Sequence, residues 1–309
     1  MEIDKVGEHL SYLAVFSHKV KRDGSIEAPP GEAGLISAAY NDKVVPLFVL
    51  TNLEEDQFST ELGQTILSNE SLQDKVLNEA LRLMEQKGYL GLNIDFEHLR
   101  REDRVLYNQF LRKALGKVRE KGYSLSTALA PKVSGEQAGA WYEAHDYPAH
   151  GSIVDFVILM TYEWGWSGGP PMAVAPLDQV RRVVEYAASV MPNNKIMMGI
   201  PLYGYDWTLP YVAGGQFAKV VSPVRAVSLA RQYNAAIQYD WKAQSPYFTY
   251  WDEQGKQHEV WFEDARSIQA KFNFVKELGI RGVSYWKLGV DFPQNWLLIE
   301  ENFIVRKRV

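Results

Sequence analysis

Short apolar runs alternate along the chain with stretches in which apolar residues recur every three or four positions. The runs have the continuous apolar character of strands buried on both faces, and they lie at Tyr12–Phe16, Val44–Thr51, Leu90–Phe96, Ser124–Ala130, Ile153–Met160, Lys195–Ile200 and Gly282–Trp286. The periodic stretches predict helices, which carry Val76 to Met84, Leu106 to Val118, Val180 to Met191 and Ile268 to Leu278. We place the N-cap of the first helix at Ser71 and its end at Gly88. Strands that alternate with helices predict parallel β/α units.

The predicted strands follow one another at fairly regular intervals except between Ile200 and Gly282, where the distance to the next strand is much longer. Within this gap, Ser222-Pro223 has the N-cap and N1 proline of a helix that runs to about Tyr233. Three short runs then predict antiparallel strands, with a turn at 252–255, and they lie at Ala236–Tyr239, Tyr247–Trp251 and Glu259–Phe262. We therefore expect an α+β insertion subdomain over residues 205–265, between the last two strands of the main fold.

Composition and charge narrow the range of functions. The chain has 309 residues, a net charge of −5 and no cysteine. It therefore lacks the basic field that holds nucleic acid or an anionic membrane, and it can form neither disulfides nor thiolate–metal sites. The histidines show no metal-ligand spacing, so we expect no metal and no cofactor. No signal peptide is visible at the start and no apolar window is long enough to span a bilayer.

The segment Gly91-Leu92-Asn93-Ile94-Asp95-Phe96-Glu97 carries the strongest chemical signal. On a strand, alternation places Asn93, Asp95 and Glu97 on one face and the apolar residues on the other. Two carboxylates about 6–7 Å apart along a strand repel each other, which raises one pKa as a general acid requires. The pattern also fits an edge strand with one wet face, and in that case the alternation has no catalytic meaning.

These residues resemble the D-G-x-D-x-D-x-E signature of family 18 glycoside hydrolases, with matches at Gly91, Asp95 and Glu97. Leu90 and Asn93 stand where the signature has its first two aspartates. Other motifs of the family follow in order. Met160-Thr161-Tyr162-Glu163 is similar to M-x-Y-D, and Gly199-Ile200-Pro201-Leu202-Tyr203-Gly204 to G-x-P-x-Y-G. Gly282 to Trp286 resembles the last strand, with its sugar-stacking tryptophan.

Within the family the chain most resembles the spore cortex-lytic branch, without its peptidoglycan-binding repeats. The segments that carry this likeness are Leu125 to Lys132, Tyr162 to Pro171 and Val260 to Ser267. The resemblance implies an N-acetylglucosaminidase that acts on a carbohydrate polymer or oligosaccharide, with peptidoglycan of the spore cortex as its substrate. It places the protein in the cortex or coat of a spore-former, and otherwise in the cytoplasm. We expect a monomer without nucleic-acid or membrane partners.

The resemblance also implies the roles of the site residues. Family 18 enzymes use the N-acetyl oxygen of the substrate as nucleophile instead of a second carboxylate. Glu97 would protonate the leaving oxygen and later activate water, Asp95 would hold the acetamido N–H, and Tyr162 would orient the acetamido oxygen. Trp286 would stack beneath the reacting sugar. The remaining substrate-binding candidates lie in these motifs or directly after them, and they are Asn93, Glu163, Trp164, Tyr203, Tyr205 and Asp206. We expect Tyr203, Tyr205 and Asp206 to line the mouth of the site after a strand, and Trp164 to be an outer sugar platform or a loop anchor.

The same resemblance implies a (β/α)8 TIM barrel over residues 1–309, interrupted by the insertion. A typical barrel takes roughly 250 residues, so the insertion accounts for the extra length. However, the family's first strand normally precedes Tyr12–Phe16, and the short segment Met1–Gly7 is polar. We therefore expect that strand to be missing, shortened or replaced, with the apolar Phe303–Val305 as one replacement.

Three alternatives remain at this point. A chitinase or chitobiase would use the same chemistry on a different polymer. A sugar-binding lectin could use the same barrel, although lectin-like relatives have usually lost the final glutamate of the signature and Glu97 is present. A metal-dependent hydrolase would need Asp95, Glu97 and His98 as ligands without a histidine cluster to support them.

Overall fold

The computed structural model describes residues 2–139 and 141–307, and these form two compact units. The first unit contains residues 2–139, 141–159, 186–197 and 305–307 of the described chain. The second contains residues 160–185 and 198–304.

Strands and helices alternate in the order that the sequence predicts. The strands are Tyr12–Val20 (β1), Ile26–Glu27 (β2), Val45–Thr51 (β3), Leu53–Glu54 (β4), Gln57–Phe58 (β5), Gly91–Asp95 (β6), Ser124–Leu129 (β7), Phe156–Leu159 (β8), Ile196–Pro201 (β9), Gly204–Thr208 (β10), Lys219–Val221 (β11), Gln238–Asp240 (β12), Ser245–Trp251 (β13), Gln257–Trp261 (β14) and Gly282–Trp286 (β15). The α-helices are Ile3–Val6 (α1), Glu32–Asn41 (α2), Thr60–Leu67 (α3), Glu70–Lys87 (α4), Arg104–Glu120 (α5), Tyr147–Ile153 (α6), Leu177–Val190 (α7), Pro223–Gln232 (α8), Ala265–Leu278 (α9) and Pro293–Asn302 (α10). Every predicted strand and helix is present, most of them with shifted ends. The elements that were not predicted are β2, β4, β5, β10, β11, α1, α2, α3, α6 and α10.

A parallel sheet forms the centre of the first unit. Its spatial order is β8, β7, β6, β3, β1, and the short β2 pairs antiparallel with the outer edge of β1. Every residue of β3 and of β6 is buried, which explains the continuous apolar pattern of β3. In the register, Thr51 of β3 lies beside Asp95 of β6. The carboxyl ends of β3 and β6 therefore lie side by side, at the end of the sheet where its parallel strands finish.

Helix α4 begins two residues before the predicted boundary. Its N-cap is Asn69, not Ser71, and the side chain of Asn69 accepts a hydrogen bond from the Leu72 backbone N–H. Asparagine and serine cap helices about equally well, so composition alone does not choose between them. The helix ends at Gly88, as predicted, where a φ of 87° satisfies the left-handed C-cap geometry that glycine adopts without strain.

The second unit contains a five-stranded antiparallel sheet, in the spatial order β11, β10, β14, β13, β12. Helix α8 covers one face of it, where Leu229 packs in one cluster with Phe248 and Val260. The other face carries Tyr205 and Trp207 of β10 in a separate cluster. Because side chains alternate along a strand, neighbouring residues of β10 point to opposite faces of this sheet.

A buried ion pair joins the end of β14 to helix α9. Lys271 Nζ donates to both carboxylate oxygens of Glu263 at 3.0 and 2.8 Å, and both side chains are buried. Ser267 Oγ donates a further bond to Glu263 at 2.6 Å. Burial raises the pKa of Glu263, and the charge and hydrogen bonds of Lys271 oppose that rise. The pair therefore fixes where α9 starts relative to the preceding strand.

Neither end of the described chain supplies the family's first strand, which normally precedes β1. Residues Ile3–Val6 form a helix and Gly7–His9 a 3-10 turn. Residues 303–307 belong to no strand, and Ile304 is 95% exposed. Among the described helices, none combines the length and the apolar character that a membrane span needs.

Candidate active site

The predicted acidic residues lie at the carboxyl end of β6, in the middle of the parallel sheet. Strand β6 pairs with β3 on one side and with β7 on the other. Asn93, Asp95 and Glu97 are all buried. The alternative of an edge strand with one wet face is therefore wrong, because β6 has neighbours on both edges and no exposed residue.

Asp95 and Glu97 are both buried carboxyl groups that influence each other's ionisation, and both have raised pKa values. Burial raises the pKa of Asp95 to about 7, and its interaction with Glu97 opposes the rise. Burial is also the largest influence on Glu97, whose pKa lies well above its ordinary value, and the charge of Asp95 raises it further. Repulsion thus acts in the predicted direction but comes second to desolvation. At neutral pH the pair retains a proton, as a general acid requires.

One oxygen of this pair has no protein partner among the described residues. Asp95 Oδ1 is buried and accepts no hydrogen bond. The side-chain amide of its neighbour Asn93 donates elsewhere, from Nδ2 to Ser126 Oγ on β7 at 2.9 Å. A buried carboxylate oxygen normally has a donor. Asp95 Oδ1 is therefore suited to accept an N–H or O–H from a bound ligand.

Trp141 is a site residue that the sequence analysis missed. Its indole Nε1–H donates a hydrogen bond to Glu97 Oε2. This bond stabilises the charged form of Glu97 and opposes the rise in its pKa. Trp141 lies in the long segment between β7 and α6, far from Glu97 in sequence. No periodicity of the sequence marks it.

In the second unit, the hydroxyl groups of the candidates Tyr203 and Tyr205 meet at the carboxylate of a third candidate, Glu163. Tyr203 and Tyr205 both donate hydrogen bonds from their hydroxyls to Glu163, and the Tyr205 bonds measure 3.0 and 3.2 Å. Burial raises the pKa of Glu163, whereas the two hydroxyls lower it. Glu163 has a φ of 67°, so its backbone is in the left-handed region. The extra methylene of glutamate, compared with the aspartate of the motif, is thus used to reach both tyrosines.

Aromatic rings surround this group. Tyr162 and Trp286 are partly buried and pack against the cluster that contains Tyr203 and Tyr205. The backbone N–H of Leu202 donates to the carbonyl of Trp286 at 2.9 Å, which ties the end of β15 to this segment. Trp164 is held through its backbone, because its N–H donates to Val174 O at 3.0 Å. Flat aromatic faces beside tyrosine hydroxyls and a carboxyl are the surfaces that sugars bind.

Comparison with known proteins gives the family. The sequence model of the glycosyl hydrolases family 18 matches residues 55–291. The chain is a family 18 glycosyl hydrolase. It is 55% identical to the cortical fragment-lytic enzyme of Bacillus subtilis (strain 168) over 97% of this chain and 69% of that protein. The protein of the same name from Bacillus cereus is 50% identical over 98% of this chain and 70% of that one.

Solved structures show the family 18 fold over the whole chain. The crystal structure of the Bacillus megaterium QM B1551 spore cortex-lytic enzyme SleL superposes with a TM-score of 0.97 at 52% identity, covering 100% of this chain and 71% of that one. A chitinase from Chromobacterium violaceum ATCC 12472 superposes with a TM-score of 0.90 at 23% identity, covering 99% and 95%. The mixed α/β fold is therefore of the chitinase type.

The structure separates one predicted residue, Asp206, from the neighbouring candidate Tyr205. It lies on the α8 side of the antiparallel sheet, opposite Val260 in the register, whereas Tyr205 lies on the other face. Tyr250 O–H and His258 Nδ1–H donate to its two oxygens at 2.7 and 2.8 Å. Both carboxylate oxygens are thus used within the sheet, and Asp206 is not part of the aromatic group around Glu163.

Proposed function

We propose that this glycoside hydrolase cleaves β-1,4 linkages at N-acetylglucosamine in spore cortex peptidoglycan or its fragments, with retention of configuration. The observation that carries the proposal is the pair of buried carboxyl groups of Asp95 and Glu97 at the end of β6, whose pKa values are both raised. The cortical fragment-lytic enzymes that resemble the chain over nearly its full length support the choice of polymer.

Glu97 acts first as general acid. Its raised pKa favours the protonated form, and it passes the proton to the glycosidic oxygen as the bond to the anomeric carbon breaks. The resulting carboxylate then removes a proton from the water that attacks the same carbon. Trp141 favours the charged form between these two steps, because its N–H bonds to Glu97 Oε2.

The acetamido oxygen of the substrate attacks the anomeric carbon and closes an oxazolinium ring. Asp95 accepts the acetamido N–H on Oδ1, the oxygen without a protein partner, and its negative charge stabilises the cation. Tyr162 donates to the acetamido oxygen and aims it, while Trp286 stacks under the reacting sugar. Asn93 orients Ser126 beside the pair but carries no charge.

Glu163, held by Tyr203 and Tyr205, binds substrate hydroxyls, and Trp164 lies next to it along the chain. We assign Asp206 a structural role instead, because Tyr250 and His258 use both of its oxygens. The enzyme works without a metal or cofactor in this scheme, since every proton and charge is handled by side chains or by the substrate.

We further propose that the parallel strands belong to a TIM barrel, with residues 205–265 as its α+β insertion. The chitinase-type fold and the antiparallel sheet within that range support this organisation. We propose a monomer that acts in the spore cortex or coat, and the names of the relatives support the cortex as its place of action. The charge of −5 provides no broad basic field for nucleic acid.

The experiment that tests the function compares polymers. Cortex fragments and chitin oligosaccharides are incubated separately with the enzyme, and the products are identified by mass spectrometry and by proton NMR of the new reducing end. We expect faster cleavage of cortex fragments, with the β-anomer formed first. Preference for chitin would favour a chitinase, binding without cleavage would favour a lectin, and an α-anomer formed first would exclude the retaining mechanism.

A further inference from the structure

Glu97 lies in a part of the chain that the sheet does not hold. Strand β6 ends at Asp95, and the last register pairs of β6 join Asp95 to Thr51 and Ile94 to Thr127. Immediately after Glu97 the backbone turns through His98, a non-glycine residue with a φ of 55°. Non-glycine residues adopt this left-handed conformation only where the surrounding structure imposes it.

Asn52 replaces the missing strand pairing at Glu97. The backbone N–H of Glu97 donates to Asn52 Oδ1 at 3.0 Å, and Asn52 Nδ2 donates to the carbonyl of Glu97 at 2.9 Å. Asn52 is fully buried, and its second amide hydrogen donates to Ser59 O at 2.9 Å. One side chain therefore fixes both backbone polar groups of the candidate general acid.

The residues on either side of Glu97 are held in the same way. His145 Nδ1 accepts a hydrogen bond from the Ala130 N–H at 2.8 Å, so its ring proton is on Nε2, which donates to Phe96 O at 2.9 Å. Thr60 Oγ1 donates to the carbonyl of His98 at 2.6 Å. Side chains from three separate segments thus bind the backbone of consecutive residues 96, 97 and 98.

We propose that Asn52, Thr60 and His145 are positioning residues for Glu97, and that together they set where its carboxyl group stands. This inference rests on the proposed function, in which Glu97 is the general acid. The three side chains bond to backbone atoms and none to the carboxyl itself, so they act through the geometry of the turn. Misplacement of a catalytic group by about 1 Å can lower a rate by about 100-fold.

The test is Asn52→Leu, which removes the amide and keeps a side chain of similar shape. Its matched control is Gln73→Leu, which removes another buried amide, one that donates to Leu67 O at 2.8 Å near the start of α4. The measurements are kcat, KM and the NMR resonance of the Trp141 indole N–H, which bonds to Glu97 Oε2. The resonance is assigned by its loss in Trp141→Phe.

We expect Asn52→Leu to lower kcat by about 100-fold with little change in KM, and to shift the Trp141 indole resonance. Gln73→Leu should change neither kcat nor that resonance, even if it lowers the melting temperature. If Asn52→Leu does not fold, Thr60→Val provides the test, because it removes one hydroxyl from a half-buried residue. We expect this variant to lower kcat about 5-fold, the effect of one ordinary hydrogen bond, and to shift the same resonance.

A folded Asn52→Leu or Thr60→Val with normal kcat overturns the inference, and so does a loss of kcat that leaves the Trp141 resonance unmoved. Glu97→Gln, measured in parallel, separates this failure from failure of the proposed function. If Glu97→Gln is inactive and Asn52→Leu is active, only the positioning role is lost. If Glu97→Gln remains active, the proposed function itself is wrong.

Discussion

The indole N–H of Trp141 donates its hydrogen bond to Oε2 of Glu97, from a segment 44 residues further along the chain. The bond occupies one oxygen of the proposed general acid, so the proton that it would transfer belongs on the other oxygen, Oε1. Trp141 also favours the ionised form of Glu97, against the burial that disfavours it. The residue therefore adjusts both the direction and the strength of the acid.

Trp141→Phe should shift the pH dependence of activity toward higher pH. Without the indole donor the charged form of Glu97 is less stable, so its pKa rises and the acid keeps its proton to a higher pH. We expect the alkaline limb of the kcat/KM profile to move upward. Trp241→Phe is the control, because that ring is 75% exposed on the second unit. A profile of Trp141→Phe that coincides with that of the control would contradict this assignment.

Glu97→Gln should preserve folding and sugar binding but remove the acid. General acid–base catalysis contributes roughly 10²–10⁴-fold, and we expect kcat to fall by that factor. Circular dichroism checks the fold and calorimetry checks the binding of a thiazoline analogue of N-acetylglucosamine. Glu102→Gln, at an exposed carboxylate nearby in sequence, should leave kcat unchanged. Near-normal turnover in Glu97→Gln would exclude Glu97 from the mechanism.

Tyr162→Phe tests whether the substrate's acetamido group is the nucleophile. The lost hydrogen bond acts on developing charge and is worth about 1.5–3 kcal/mol, which corresponds to roughly a 10- to 150-fold fall in kcat. The thiazoline analogue mimics the cyclised intermediate, so it should bind more weakly to Tyr162→Phe and to Asp95→Ala. Tyr40→Phe is the control, because its hydroxyl only donates to Gly88 O at the end of α4.

The analogue could inhibit the wild type, Tyr162→Phe and Asp95→Ala equally, or inhibit none of them. Either result would mean that the acetamido group is not the nucleophile. The nucleophile would then be a protein carboxylate. Asp95 and Glu163 are the candidates to examine. Asp206 is a weaker choice, since its oxygens already accept hydrogen bonds from Tyr250 and His258.

His150 should make the protein less stable in acid. Burial lowers the pKa of His150 to about 3, against 6.5 for an exposed histidine. Below pH 6.5 the unfolded chain therefore binds a proton that the folded one does not, and stability falls as the pH drops. Asp95 and Glu97 act in the opposite direction in the same range, because their folded pKa values are raised.

The contribution of the His150 imidazole is obtained by comparing the free energies of unfolding of the wild type and of His150→Phe. We expect the free energy of unfolding of the wild type, relative to His150→Phe, to decline by about 1.4 kcal/mol for each pH unit below the ordinary histidine pKa. Urea unfolding at several pH values gives this difference. A constant difference between the two proteins across that range would show that His150 is already protonated in the folded state.

The sequence predicted the parts of the site that follow from local periodicity. Alternation along β6 identified Asn93, Asp95 and Glu97, and the apolar run of β3 predicted a strand buried on both faces. Asn52 and Trp141 could not be found in this way. Each reaches Glu97 through the fold, across 45 and 44 residues, and neither lies in a repeating pattern.

Asp206 illustrates the opposite error. Its position directly after Tyr205, just beyond a predicted strand, suggested a shared role at the mouth of the site. The strand β10 was not predicted there, so the alternation that separates the two side chains was not applied. Once β10 is paired with β14, Tyr205 and Asp206 must face opposite ways. The predicted start of α4 was also wrong, by two residues. Asn69 and Ser71 are equally suitable caps, and only the three-dimensional structure shows that Asn69 is the one used.

The buried ion pair of Lys271 and Glu263 has a consequence for heat. Water solvates charged groups less favourably as temperature rises, so the cost of removing both charges from water falls on heating. Their mutual attraction and the hydrogen bonds at 2.8 and 3.0 Å remain. The desolvation cost of the ion pair at the junction between β14 and α9 is therefore smaller at high temperature than at about 25 °C.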